Sequence, residues 1–381
     1  MSERPKILMI GGSGQPSGVP AFILGMVEAL GPEVECVVVS EADRGGYSRL
    51  PALGVRHVAL EGLASSFNPL TYGKARRNLA RTIADERPDL VWAHARAAVH
   101  LCRELFSGTP PVQTRLAVSL HGLPFDPGHR RMLRLLSLRV EARHLRHTQP
   151  HHIHLLTEGD AALYRRMLGR VTERHALHIL GTTSHRRLAP APAPRPASGT
   201  PLRLIMTTRP GYQKNLVAAA HLVAALRVPW RLDLYGSGTD SPRLVRAFRR
   251  VLGASISSVG FHGAVSDVGA ALDRADLYLS TSRYEGMSIG VHEAFQAGLP
   301  LALSDIHGNR IFLATHPFAT ALPAGRPQEA ARRIENLWAP LREFPDHRAE
   351  AGRAWHRHFA PEQWTSRAHN MLRAMLSDPL P

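Results

Sequence analysis

The sequence predicts an α/β protein built of two Rossmann-like, doubly wound parallel-sheet domains, and three observations predict it. Strand-length apolar runs alternate with helical patterns along most of the 381 residues, which implies parallel strands joined by crossover helices. The segment Ala189 to Pro201, rich in proline and alanine, divides the chain; it can be neither regular helix nor inner strand and reads as an extended spacer. Each half also contains a strand that runs into a glycine-bearing turn and then a helix, at Lys6 to Leu30 and at Ala275 to Ala297. The crevice at the carboxyl end of such a strand is where open α/β sheets bind ligands, and free amides at the helix start favour phosphate.

Taken in order, Lys6 to Ile10 is a short apolar strand, Gly11-Gly12-Ser13-Gly14-Gln15-Pro16-Ser17-Gly18 a turn, and Phe22, Ile23, Met26, Val27 and Leu30 mark a helix face. The Gly12-x-Gly14 spacing resembles a dinucleotide fingerprint, but Pro16 interrupts it and no acid is clearly placed about 20 positions on for a ribose. Further strands are expected at Val34 to Ser40, Val55 to Leu60, Asp89 to His94, Arg115 to His121 and His152 to Thr157, with helices around 68–86, 96–106, 128–147 and 159–168. The helix at 128–147 carries six arginines against one acid, Glu141, with leucines interleaved. It is expected to pack its apolar side on the core and show a charged outer face; the other reading is a surface for anionic lipid or an anionic acceptor.

After the spacer come a strand from Leu202 to Thr208, the loop Arg209-Pro210-Gly211-Tyr212-Gln213-Lys214-Asn215, and a helix from Leu216 to Leu226. Trp230 to Tyr235 is a strand ending at Gly236-Ser237-Gly238, and Val259 to Val265 another containing Gly263. Ala275 to Ser282 leads into Tyr284-Glu285-Gly286-Met287-Ser288, and the helix that follows holds Glu293 and stops at Gly298-Leu299-Pro300. Two glutamates eight positions apart thus flank a helix start, the second about two turns along. A carboxylate accepts two hydroxyl hydrogen bonds at once, so the element offers amides for a diphosphate and an acid at each end for a polyol; two solvated acids near a helix start are the plainer alternative. Pro300 to Asp305 is one more buried strand, and Pro361 to Leu376 an amphipathic helix with Trp364, Ala368, Met371, Leu372 and Met375 on one side. The expected domains are residues 1–188, a linker at 189–201, residues 202–360, and a terminal helix at 361–381.

The paired glutamates with the Ala-x-x-Ala-Gly-x-Pro that follows, Arg209 with Lys214-Asn215, Gly236 and Gly263, in this order, resemble the retaining GT-B glycosyltransferases of the GT4 family. The resemblance implies two domains facing a cleft, with a C-terminal helix that crosses back to the first. It implies Glu285 on the transferred sugar, Arg209 and Lys214 on the donor diphosphate, and the amides of Gly286, Met287 and Ser288 on the distal phosphate. It further gives Glu293 to the ribose, the Gly263 segment to the nucleobase edge and Gly236 to the donor site. In the first domain His121, which ends a strand before Gly122, would reach the donor sugar, unless it simply bonds a nearby carbonyl. Gly14 and Gly18 would lie near the diphosphate. The implied reaction moves a hexosyl unit from a UDP- or GDP-sugar to a glycan, lipid-linked or small-molecule acceptor. It needs no cofactor and no metal, in keeping with a chain that lacks Asp-x-Asp. The chain departs from the family in having no Asn-Gly turn at 180–183 and no Glu after Asp305. A non-catalytic sugar-nucleotide-binding subunit and a GT-B epimerase remain as alternatives.

The formal charge of +16 raises the question of nucleic acid. Its makeup argues against it: Lys6, Lys74 and Lys214 are the only lysines, so 47 minus 3 leaves 44 arginines, a composition bias, and no nucleic-acid motif is present. Lys214 stands out against that bias. Cys36 and Cys102 are too few for a disulfide framework or a cysteine metal site. No apolar run approaches the ~18 residues of a spanning helix, and no signal peptide precedes the first strand, so a cytoplasmic protein is expected, with peripheral membrane contact through 128–147 as an added reading.

Overall fold

The computed structural model describes residues 4–63, 69–108, 114–184, 199–265 and 267–380; the expected spacer lies outside them as far as residue 198. The chain divides into two compact units, residues 1–126, 130–185 and 361–381 forming one, and residues 127–129 and 186–360 the other.

The first unit runs β1 (Lys6–Ile10), α1 (Gly18–Leu30), β2 (Glu35–Ser40), β3 (Arg56–Ala59), α2 (Pro69–Glu86), β4 (Leu90–Ala93), α3 (Arg96–Leu105), β5 (Arg115–Leu120), α4 (Arg131–His147), β6 (His152–Leu155), α5 (Glu158–Leu168) and β7 (Ala176–Ile179). Its seven strands lie in the order β3-β2-β1-β4-β5-β6-β7, every pair parallel. Side chains alternate between two cores because successive strand residues point to opposite faces. Leu8 and Ile10 join Val37, Val39 and Val91 on one side, while Ile7 and Met9 join Val38, Leu90 and Trp92 on the other. Both faces of the central strands are covered, which is why β1, β2 and β4 read as nearly unbroken apolar runs.

The second unit runs β8 (Leu202–Thr207), α6 (Leu216–Val223), β9 (Trp230–Tyr235), α7 (Pro242–Leu252), β10 (Val259–Gly263), α8 (Gly269–Arg274), β11 (Leu277–Ser280), α9 (Ile289–Gln296), β12 (Leu301–Ser304), α10 (His307–Thr315), β13 (Ala319–Leu322), α11 (Pro327–Leu341) and α12 (His347–Phe359). Its parallel sheet has the order β10-β9-β8-β11-β12-β13. Helices α6, α7 and α11 share one core with the strands. Phe295 of α9, Phe312 of α10 and Phe359 of α12 meet edge-on or tilted, with ring centroids 5.8 to 5.9 Å apart where Phe359 meets the other two.

The last helix, α13 (Pro361–Ser377), belongs to the first unit. Trp364, Ala368, Met371, Leu372 and Met375, the residues whose spacing marked its apolar side, are all buried beside Phe22 and Met26 of α1. Its placement is fixed by polar contacts as well. The Trp364 indole donates to Gly181 O at 2.7 Å, and the Arg115 guanidinium donates to Asp378 O at 2.7 Å.

Helix α4 departs from the expected packing. The side it turns to the protein is mixed: Leu145 is fully buried in the core and Leu138 packs against it, but Ser137 and Glu141 are buried too, and Arg103 of α3 donates to both Glu141 oxygens at 2.8 and 2.9 Å. Tyr164 of α5 donates to the same carboxylate at 2.6 Å. Meanwhile Met132, Leu133, Leu135 and Leu136 are 77%, 54%, 41% and 56% exposed. The helix packs on the core through Leu138 and Leu145, as expected, but the charged outer face expected at 128–147 is corrected: in its first two turns the helix is apolar outward. The helix also starts three residues later than expected. Gly128 and His129 group with the second unit, where His129 stacks on Tyr284 with centroids 3.7 Å apart.

Replacing Trp364 by alanine is expected to destabilise the first unit by about 3–5 kcal/mol, since it empties a large buried site and orphans a carbonyl. Urea unfolding of the full chain, followed by far-ultraviolet circular dichroism, measures it.

Candidate active site

In the second sheet the direction of winding reverses between β8 and β11, which are neighbours although three helices and two strands separate them in the chain. Loops leaving adjacent strands toward opposite faces open a crevice at such a point. The two loops that leave here are 208–215 and 281–288, and they hold Arg209, Lys214 and Glu285.

These loops are tied together. Arg283 N–H donates to Gln213 O at 2.7 Å, and its guanidinium donates to Asn215 Oδ1 at 2.8 Å while lying 4.8 Å above the Tyr212 ring. Thr281 Oγ1 donates to the carbonyls of Lys214 or Asn215, each at 3.3 Å. Asn215, with φ at 50°, sits in the left-handed region that asparagine tolerates better than most residues, and so turns the loop into α6.

Glu285 is the centre of this arrangement, 7% exposed. Its Oε1 accepts from Lys214 Nζ at 2.5 Å and from Ser282 Oγ at 2.7 Å, and its Oε2 accepts from Gln213 Nε2 at 2.9 Å. Three of roughly four lone-pair positions are filled, leaving one for a further donor. Behind it, Ser304 Oγ donates to Ser282 O at 2.7 Å, and the buried Asn309 amide donates to Ser304 O at 2.9 Å. The carboxylate is thus held from β8, β11, β12 and α10 at once.

The turn from Glu285 to Met287 is buried. Gly308, near the start of α10, lies so close that a Cβ there would overlap the carbonyl oxygens of Glu285 and Gly286. Helix α9 then begins. Ser288 precedes it without a side-chain cap, and the first backbone bond into it is His292 N–H to Ser288 O at 3.1 Å. The amides ahead of His292 therefore have no partner within the helix. Gly290 fits against Thr207 and Tyr278, where a Cβ would overlap Thr207 Oγ1, so α9 starts directly against the ends of β8 and β11. Glu293 is half-buried one turn further on. Burial pushes the Tyr278 hydroxyl up, and the negative fields of Glu293 and Glu285 add to it, so both acids stand near this one ring.

Not every expected residue joins this cluster. Arg209 is exposed on the β8 loop and makes no hydrogen bond or ion pair among the described residues. Gly236 and Gly263 lie at the ends of β9 and β10, joined by Gly236 N–H to Gly263 O at 2.6 Å. With φ at 126°, Gly236 packs its Cα against Thr208 O, and Gly263 N–H is taken by Thr239 Oγ1 at 3.1 Å. Both glycines thus have backbone reasons for being glycine.

Gly14, Gly18 and His121 belong to the first unit. Gly14 touches the loop after β2, its carbonyl accepting from Arg44 and Gly46 N–H at 2.9 Å each, and has no room for a Cβ. Gly18 opens α1 and is exposed. His121 lies edge-on to Phe22 at 4.9 Å, with its Nε2 3.4 Å from His94 Nδ1. Beside them Trp92 Nε1 donates to Ser119 Oγ at 2.8 Å; that hydroxyl meets His154 Nδ1 at 2.8 Å, and His154 Nε2 donates to Leu180 O at 2.7 Å. Burial, with the field of His154, lowers His121 to about 3; burial lowers His154 to about 4 and His94 well below its ordinary value. His121 is thus a neutral imidazole near pH 7.

Gln213, Ser282, Ser304, Gly308 and Asn309 had no role in the sequence reading. Gln213 sits inside the Arg209-to-Asn215 motif and could have been weighed there; the others act through contacts between distant segments, which spacing does not show.

Residues 203–339 match the family described as Glycosyl transferases group 1. That match takes in 137 of the 381 residues, all of them within the second unit. Among curated proteins, the chain is 30% identical over 126 residues to a putative glycosyltransferase, EpsD, of Bacillus subtilis, covering 33% of this chain and 32% of that one. It is 30% identical over 155 residues to the lipopolysaccharide glucosyltransferase WaaG of Escherichia coli K12, covering 41% and 40%. The matches to these relatives thus span well under half of their length. Structural likeness reaches further than that match. Anabaena Alr3699/HepE, solved with UDP and glucose, superposes with a TM-score of 0.77 at 15% identity over 97% of this chain and 100% of that one. A sucrose-phosphate synthase from Thermosynechococcus elongatus gives 0.76 at 16% identity over 98% and 99%. The fold is GT-B, with two parallel-sheet units.

Gly308→Ala is expected to shift the Glu285–Met287 turn and to cost about 1–3 kcal/mol, as overpacking does; thermal melting of the variant checks it. The buried histidines give a pH dependence with a definite sign. Their folded values lie below the 6.5 of the unfolded chain, so the unfolded state binds more protons between pH 6.5 and about 4. Stability is therefore lost as pH falls through that window, by up to about 1.4 kcal/mol per pH unit for each such histidine. Urea titrations at descending pH should show it, and His154→Gln should flatten the slope.

Proposed function

We propose that the protein is a retaining, metal-independent glycosyltransferase of GT4 type that takes a hexosyl unit from a nucleotide-diphosphate sugar, the nucleotide being UDP or GDP. The acceptor is a glycan, a lipid-linked sugar or a small molecule. The reading rests chiefly on one observation: Lys214 and Glu285 meet at 2.5 Å at the point where the second sheet reverses its winding, directly before the uncapped start of α9. A cation and a helix N-terminus there suit a pyrophosphate, while a fixed carboxylate with one open acceptor position suits sugar hydroxyls. In this reading Lys214 turns from Glu285 to the diphosphate when donor binds, Arg209 joins it from the same loop, and Glu293 takes the ribose. Opposite charges ~4 Å apart are worth on the order of 4 kcal/mol at an effective dielectric near 20, enough to stabilise a departing nucleotide diphosphate without a metal. Transfer then proceeds with the acceptor attacking the face the nucleotide leaves, the departing phosphate oxygen taking the acceptor's proton. The first unit is assigned the acceptor, with neutral His121 as a hydrogen-bonding group for the sugar.

The test is a donor screen followed by transfer. Among UDP-, GDP- and ADP-sugars, the true donor at 100 times its dissociation constant should add about 2.7 kcal/mol of stability, read as a raised melting temperature. Glu285→Ala and Lys214→Ala should each lower turnover by about 10²–10³. Turnover should persist in EDTA; loss restored by Mn²⁺ would refute the metal-free reading. Conversion of donor to an epimer with no acceptor present would replace transferase by epimerase.

A further inference from the structure

The second unit carries a basic groove that the crevice does not use. Helices α6 and α7 share one face of the sheet with α11, and two depressions open along them. The first, about 680 Å³, lies between the loop 210–212, the start of α6 and one side of α7. The second, about 490 Å³, lies between the ends of α6 and α7 and the start of α11. Arg250 of α7 lines both, so they form one groove wholly within the second unit. Gln213, Lys214 and Glu285 do not line it; the loop 208–215 thus turns one side to the crevice and the other to the groove.

The walls carry one sign of charge. Arg243, Arg250, Arg283, Arg227 and Arg332 line the groove, and no Asp or Glu does. Composition bias accounts for the number of arginines but not for their pairing. On the same unit Arg203, Arg231, Arg326 and Arg333 each meet a carboxylate, whereas Arg243, Arg250 and Arg332 meet none among the described residues. The floor between them is uncharged and largely apolar, made by Val217, Ala224, Ala225 and Ala247, with Tyr212 at one end; Tyr212 and Val217 are 43% and 39% exposed. Arg243 and Arg250 stand two turns apart on α7, ~10 Å along its axis, and Arg332 faces them from another helix. A lone phosphate is too small to engage all three; the spacing suits an extended ligand with charges at intervals.

We propose that this groove binds an acidic oligosaccharide, its carboxylates on Arg243, Arg250 and Arg332 and the C–H faces of its rings on Val217, the alanines and the exposed part of Tyr212. Arginine takes carboxylates in bidentate pairs, and Asn215, Ser241 and Gln328 in the lining offer partners for hydroxyls. Single-stranded nucleic acid matches the charge but binds on successive aromatic platforms. The groove has a single Tyr, Phe or Trp, Tyr212, and the Arg283 guanidinium already lies over that ring at 4.8 Å. Binding here requires neither donor nor turnover, so it does not depend on the glycosyltransferase reading.

The experiment is isothermal titration calorimetry of the purified full chain with hexagalacturonate, alongside maltohexaose as a neutral glycan of equal length and a short oligo(dT) as a polyanion of another class. The acidic hexamer should bind and the neutral one should not. Arg243→Gln/Arg250→Gln should weaken binding at least about tenfold, as loss of two charge-assisted contacts does. Arg246→Gln/Arg249→Gln removes the same charge from exposed positions of α7 outside the lining and should change binding by no more than about twofold at physiological salt. All four side chains are exposed, so both variants should keep the wild-type melting temperature. Failure of hexagalacturonate to bind, equal binding of maltohexaose, or an equal loss in Arg246→Gln/Arg249→Gln would overturn the proposal. Tighter binding of oligo(dT), lost in Arg243→Gln/Arg250→Gln, would give the groove to nucleic acid instead.

Discussion

The contact between Lys214 and Glu285 is the constraint around which the second unit's crevice is arranged. A carboxylate this far out of water must be paired and hydrogen-bonded, and the groups that satisfy Glu285 come from segments brought together only by the strand order. Satisfying one acid therefore fixes two loops. Gln213 and Lys214 hold the loop after β8, Ser282 holds the loop after β11, and Ser304 and Asn309 brace the latter from behind. Because the same turn runs directly into α9, the position of the helix amides follows from the position of the acid. The close approaches of Gly290 to Thr207 and of Gly308 to the Glu285 carbonyl leave no slack in either direction.

Much of this architecture was legible in the sequence. The first six strands of the first unit, the β8 and β9 strands and the α13 face were visible because apolar runs of strand length mark buried parallel strands and helix faces repeat at 3.6 residues, whereas the short β7 was not among the expected strands. The region from 240 to 258 and everything between 306 and 360 was not. In α7, arginines at 243, 246, 249 and 250 outnumber the buried Leu244, Phe248 and Leu252, and in α12 buried His347 and Arg348 stand where apolar residues are expected. Composition bias hid the period there.

The site was legible in part, and the division has a physical cause. Glu285 and Lys214 were found because a motif fixes residue types at fixed spacing. The residues that orient them were missed because hydrogen bonds between Ser304 and Ser282, or Asn309 and Ser304, depend on sheet register, which no local pattern encodes. The glycines show the converse. Gly14, Gly236 and Gly263 were singled out for a ligand, yet each also has a packing or backbone reason to lack a side chain. In α4, alternating arginine and leucine showed that the helix was amphipathic; only the buried Glu141 revealed which side turned inward.

The return of α13 to the first unit has a consequence for synthesis. Trp364, Met371 and Met375 close one side of the core over Phe22 and Met26, so that core stays open until residues 361–377 have left the ribosome. The second unit is almost contiguous, from 186 to 360, and has no such wait. Vectorial folding, which ordinarily completes N-terminal domains first, is thereby inverted for these two units: the first, begun earlier, closes its core only after residues 186–360 have been made.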